Sequence, residues 1–160
     1  MRMLSAMGTA ALLAATGPAF AEEAFDACEV FTAADAEKVL GAAAAGEPVN
    51  PNPKVKRPKV VPTCTYTGLK EGKPVAATVQ FRFGKNDGEA RSAFDENKLQ
   101  FQTKPIIISG TEAAFWSAKT GQMNLRKGRA WVTLSVGPPK ISERDMNDAR
   151  KLAEILAKKI

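Results

Sequence analysis

Residues 75–83 alternate strictly: Val75, Ala77, Val79, Phe81 and Phe83 on one parity, Ala76, Thr78, Gln80 and Arg82 on the other. A repeat of two over this length puts one row of side chains on each side of a pleated strand, and a strand with one apolar side must join a sheet with one buried face. The pattern returns at 129–136, where Ala130, Val132, Leu134 and Val136 oppose Arg129, Trp131, Thr133 and Ser135. At 122–127 it separates Met123 and Leu125 from Gln122, Asn124 and Arg126. Further strands are expected at 63–69, 105–109 and 113–118, with turns at Lys70-Glu71-Gly72-Lys73, Thr120-Gly121 and Lys127-Gly128.

Helical signals separate these strands. Thr32 and Asp35 are spaced as a reciprocal cap behind Phe31, and Gly41 offers a stop after Val39 and Leu40. Residues 89–101 carry Ala90, Ala93, Phe94 and Phe101 as an inner stripe. A last helix is expected to be capped by Ser142 with Asp145, to bury Met146, Ala149, Leu152, Ala153, Leu156 and Ile160, and to end on Lys158 and Lys159, which suit the negative helix end. Strands grouped in meanders between helices, without regular βαβ alternation, predict an α+β fold. The expected form is an antiparallel sheet of about five or six strands with the helices packed on one face and one disulfide.

The first 21 residues have the grammar of a cleavable export signal. Arg2 supplies the charge, 6–15 the short apolar stretch, and Ala19-Phe20-Ala21 the small-x-small cut site. The apolar run is too short to span a bilayer, which takes roughly 20 residues, so stable membrane insertion is not expected. The mature domain then occupies 22–160 and works in the periplasm or as a secreted protein. Within it, 42–62 holds Pro48, Pro51, Pro53, Pro58 and Pro62 with Lys54, Lys56, Arg57 and Lys59, and reads as an extended, charged connection. Its basic stretch at 54–59 could also dock on an anionic surface.

Cys28 and Cys64 are the only cysteines, and an even pair in an exported domain most simply forms a disulfide. Closing a loop of that size stabilises by roughly 4 kcal/mol in the chain-entropy model.

The chain has no histidine. That removes Ser-His-Asp and Cys-His catalysis and histidine-based zinc and haem sites, and no Gly-rich phosphate loop is present. Asn86-Asp87-Gly88-Glu89 looks like part of a calcium loop, but aligning Gly88 with the sixth position puts Phe83 and Phe94 where carboxylates are required. The acids suit a helix start better. A glycosidase built on Glu112 near Trp116 lacks a fixed second acid. No cofactor or metal is expected, and a non-enzymatic role is favoured.

The net charge of +6 favours anionic partners, with nucleic acid unlikely for an exported domain without a recognised motif. If helices cover the apolar side of the sheet, the other side gathers Thr78, Gln80 and the arginines with Trp131. An antiparallel sheet with one wet face is polar in any case, yet a large aromatic among arginines is typical of contact surfaces. Arg82, Asn124, Arg126, Arg129 and Trp131 are therefore the candidate binding residues. Burial of Trp131 beneath a helix is the opposite expectation and would count against the set.

The order Asp26-Ala27-Cys28, a capped helix ending at Leu40-Gly41, then Cys64-Thr65-Tyr66, Ser109-Gly110, Glu112-Ala113, Phe115-Trp116 and Arg126-Lys127-Gly128 resembles small exported domains of bacterial lipoproteins, akin to the extracytoplasmic sensor domain of a mycobacterial serine/threonine kinase. The resemblance implies a helix-backed sheet, a disulfide and ligand or partner binding rather than catalysis. The chain differs in lacking a lipid-attachment cysteine and a second cysteine pair. The function expected is a binding module for a small anionic ligand or an envelope protein. The alternatives are an interaction or inhibitor protein acting on an extracytoplasmic enzyme or envelope complex and, more remotely, a carboxylate hydrolase.

Overall fold

The computed structural model describes residues 25–41, 49, 61–101 and 103–160. The expected leader, and the connection at 42–62 apart from Val49, Val61 and Pro62, lie outside the described residues, as does the basic stretch at 54–59.

The fold is α+β. In chain order the elements are α1 (Ala27–Val30), α2 (Ala33–Leu40), β1 (Thr63–Lys70), β2 (Lys73–Phe83), α3 (Asp87–Gln100), β3 (Lys104–Ile106), β4 (Ala113–Ser117), β5 (Gln122–Lys127), β6 (Ala130–Gly137) and α4 (Met146–Leu156). Six strands form one antiparallel sheet in the order β1-β2-β6-β5-β4-β3. Its long central strand β2 is the one whose alternation is clearest in the sequence.

The apolar parity is buried as expected except at the end of β2, where Phe83 is 49 % exposed. Val79, Phe81, Val132, Leu134, Met123 and Leu125 are inaccessible or nearly so, and form one cluster with Leu40 from α2 and with Leu152, Ala153 and Leu156 from α4. Cys28 and Cys64 are bonded, with Cα atoms 5.2 Å apart, and fasten α1 to β1 on this side. Asp35, 3 % exposed, receives the backbone N–H of Thr32 and is engaged by Lys159 from beyond the end of α4. Burial opposes its ionisation, but Lys159 and the two Thr32 donors outweigh that and hold its carboxyl below the ordinary range.

Two expectations need adjusting. The helices do not all share one face: α1, α2 and α4 pack on the apolar side, whereas α3 lies across the other. Its Phe94 meets Phe115, ring centres 5.0 Å apart, and Trp131 at 6.3 Å. The turn that permits this is tight. A Cβ on Gly84 would sit 2.6 Å from the Ala90 nitrogen, so only glycine lets β2 fold straight into α3. The last helix is also capped three residues later than expected. Residues Ile141–Glu143 form a separate 3-10 turn, and Asp145, not Ser142, accepts from the Asn147 N–H and starts α4. Met146 is therefore 37 % exposed rather than buried, while Ala149, Leu152, Ala153 and Leu156 are buried as the stripe requires.

Both sheet edges are blunted. On β1, Thr65 exchanges N–H and C=O bonds with Val49 at 2.9 and 3.1 Å. On β3, Pro105 removes a backbone donor.

Candidate functional site

Strand register brings the polar parity into rows. Arg82 on β2 is paired with Trp131 on β6, and Trp131 with Arg126 on β5, so two arginines flank one indole in a single cross-strand row. The next row runs Gln80, Thr133, Asn124, Phe115. Beyond it Ser135 pairs with Thr78, whose hydroxyl lies 3.0 Å from that of Thr65. Arg129 stands where β2 gives way to the turn: Gly84 N–H donates to its carbonyl, and its Nε donates back to the Gly84 carbonyl at 2.9 Å. Arg82, Asn124, Arg126 and Trp131 thus lie on one side of the sheet, while Arg129 stands in the β5–β6 turn beside the end of β2.

They are not equally accessible, and here the candidate set is corrected. Asn124 is 2 % exposed and Arg126 8 %. A partner cannot touch either without displacing what covers them, so both are scaffold, not contact residues. Trp131 is half-buried with Phe94 edge-on to it; the indole is partly packed beneath α3, the arrangement that counts against it as a free anchor. Arg82 is half-buried and Arg129 exposed.

Asn124 organises the centre. Its Oδ1 accepts from Trp131 Nε1 at 3.0 Å and from the Thr133 hydroxyl at 2.9 Å, fixing both side chains at once. Those two in turn hold Arg82: its guanidinium carbon lies 4.9 Å from the indole ring centre, and Nη1 donates to Thr133 Oγ1 at 3.2 Å. Among the described residues, no carboxylate lies within ion-pair distance of Arg82. Its partial burial pulls its pKa below the ordinary arginine value, although an arginine remains charged at neutral pH.

Arg126 differs in every respect. Its Nη1 is ion-paired to Glu112, and its Nε is buried without a partner. Glu112 also accepts the Gly128 N–H at 2.9 Å. That backbone donor, opposed by desolvation and helped by Arg126, depresses the Glu112 carboxyl. A general acid needs the reverse. Trp116 pairs with Met123 on the apolar side of the sheet and packs against that cluster.

The residues suspected of calcium binding begin a helix: Asn86 Oδ1 accepts the Glu89 N–H at 2.9 Å. Among the described residues no group of three or more acids or cysteines is placed to hold a metal, and no helix is long and apolar enough to cross a membrane. A small cavity of about 120 Å³ lies at the far end of the sheet over Val39, Leu40, Val75 and Val136. Its rim acids are already used: Glu143 by Lys140, Asp148 by Lys151, and Asp145 as the α4 cap.

Two residues central to the site are absent from the candidate set. Thr133 shares the parity of Trp131, and that was its signal. Phe94 is an inward residue of its helix by spacing, but the helix alone does not show that it covers this face. The continuous apolar run Ala113-Ala114-Phe115-Trp116 carried the missing information, because a strand apolar on both parities is covered on both sides. No protein-family model matches the chain, and no curated protein or solved structure is significantly similar to it.

Proposed function

We propose that this protein is an exported, non-enzymatic binding module that contacts its ligand or partner through the half of the polar sheet face that α3 leaves open, formed by β1, β2 and the outer side of β6. The observation that supports this most is Arg82: a partly desolvated cation, held in place by Trp131 and Thr133 and unmatched by any acid of the described chain. A charge that loses solvent is favoured by a counter-charge, so a partly desolvated cation held in one orientation suits an incoming anionic group. Around it Thr78, Gln80 and Ser135 are half-exposed and offer hydroxyl and amide groups. Export is supported by the leader-like first 21 residues and by the Cys28–Cys64 bond, which persists in oxidising compartments. Mass spectrometry of the exported protein should place its first residue at Glu22.

A bulky block tests the surface. Thermal-shift screening against anionic metabolites and glycans, with cross-linking in envelope extract, is expected to give partners that are lost in Gln80→Trp and kept in Lys158→Gln, which removes an exposed cation elsewhere. Partners retained equally by both variants would place the contact on another surface.

A further inference from the structure

Resting on that reading, we infer that the group received by the open face is an oxyanion, a carboxylate or phosphate, taken by the free edge of the Arg82 guanidinium with Arg129 as a second cation. Three features of the geometry lead there. First, among the described residues Arg82 spends only Nη1, donating to Thr133. Nε and Nη2 lie parallel on the guanidinium edge, and such a pair of N–H groups matches the two oxygens of a carboxylate or phosphate.

Second, the guanidinium is pre-positioned. The chain of contacts from Asn124 through Thr133 and Trp131 fixes it by a hydrogen bond at one edge and an aromatic face beneath. A ligand then meets a side chain whose rotamer freedom is already lost, which lowers the ordering cost of binding. Third, Arg129 lies at the same corner of the sheet. Its Nε is tied to Gly84, and no acid among the described residues pairs with it. Asp87 and Glu89 begin α3 close by, but Glu89 is turned to the Lys85 N–H, and neither forms an ion pair with an arginine of this corner. Arg126, the third arginine of the face, is excluded because Glu112 already neutralises it.

Titration with inorganic phosphate and, separately, with citrate at constant ionic strength tests the inference, read by calorimetry and by indole emission in a Trp116→Phe background that leaves Trp131 as reporter. Saturable binding with a change in Trp131 emission is expected for at least one probe; which probe binds distinguishes phosphate from carboxylate. Arg82→Lys keeps the charge but loses the two-pronged edge, and is expected to weaken binding about tenfold or more. Arg82→Gln should abolish it, and Arg129→Gln should weaken it several-fold. Asn124→Leu acts through positioning, and Arg82→Lys should cost it less than it costs the parent. Far-ultraviolet circular dichroism of each variant separates lost binding from lost folding. Binding unchanged in Arg82→Lys would reduce the site to diffuse positive charge and overturn the inference, as would no saturable binding of either probe. If the anions fail while a partner is still lost in Gln80→Trp, the binding face stands and the oxyanion does not.

Discussion

Arg82 and Arg126 stand on either side of Trp131 in one cross-strand row, on the same face of the same sheet, and have opposite fates. Arg126 lies in the half covered by α3, is buried, and meets Glu112. Arg82 lies in the half that α3 leaves open, is half-buried, and among the described residues meets an indole and a hydroxyl but no carboxylate. Alternation alone gives both the same reading. What separates them is the helix laid over one half of the face and an acid fourteen residues upstream that strand pairing brings to one of them and not the other. The covered half of the polar face is a second core, and only the remainder is surface.

The sharpest way to break this contrast is to remove the cover. Phe94 is 1 % exposed and fills the space between Phe115, Trp131 and α3. Phe94→Ala should cost about 3–4 kcal/mol in urea unfolding and shift Trp131 emission to longer wavelength as water reaches the indole. An unchanged emission would show that α3 does not cover it.

Next in size is Arg126→Leu. It leaves Glu112 without its cation, but that carboxylate is half in water, so a loss of about 2 kcal/mol is expected, below the range for a fully buried pair. Glu112→Gln leaves the Arg126 guanidinium, whose side chain is only 10 % exposed, without its counter-charge, and is expected to cost about 1–2 kcal/mol at neutral pH, the amide oxygen still accepting one of its N–H groups. The sign of its pH dependence is fixed. A carboxyl held below its ordinary pKa stabilises the fold above that ordinary value, and the contribution disappears as pH falls through the lower, folded-state value. Acid unfolding of the wild type should therefore steepen below about pH 4, and Glu112→Gln should flatten that limb. Asp35, depressed in the same direction, adds to the limb that remains.

The smallest expected effect falls on Arg82. Because it neutralises no acid and loses solvation in its place, Arg82→Gln should alter stability by under about 0.5 kcal/mol. A loss as large as that of Arg126→Leu would make the two arginines equivalent scaffold.

Much of the fold was legible in the sequence, because period-two patterning is a direct consequence of the pleat. β2, β5 and β6 segregate as their residues dictate, and the cysteine pair closes as its spacing and expected compartment suggest. The side taken by α3 was not legible from the helix itself. Ala90 and Phe94 make the same inward stripe whichever face receives them, and the choice depends on Gly84 and on Phe115. The start of α4 was ambiguous for a local reason. Ser142 and Asp145 are both good caps, and the 3-10 turn at Ile141–Glu143 occupies the first. For the site, parity gathers Arg82, Asn124, Arg126 and Trp131 on one side, but parity carries no burial. Asn124 belongs to the frame that holds Arg82, Arg126 is buried against Glu112, and Thr133, which completes the frame, looks in the sequence like any outward threonine.

The two arginines can be compared in one experiment. Nitrogen-15 spectra of the arginine Nε–H groups, recorded while inorganic phosphate or citrate is added at constant ionic strength, follow both side chains in the same sample. The Arg82 signal is expected to move saturably with one of these probes while that of Arg126, shut beneath α3, stays fixed. An Arg82 signal that stays still with both, or one that moves in step with Arg126, would contradict the division of this face into frame and binding surface.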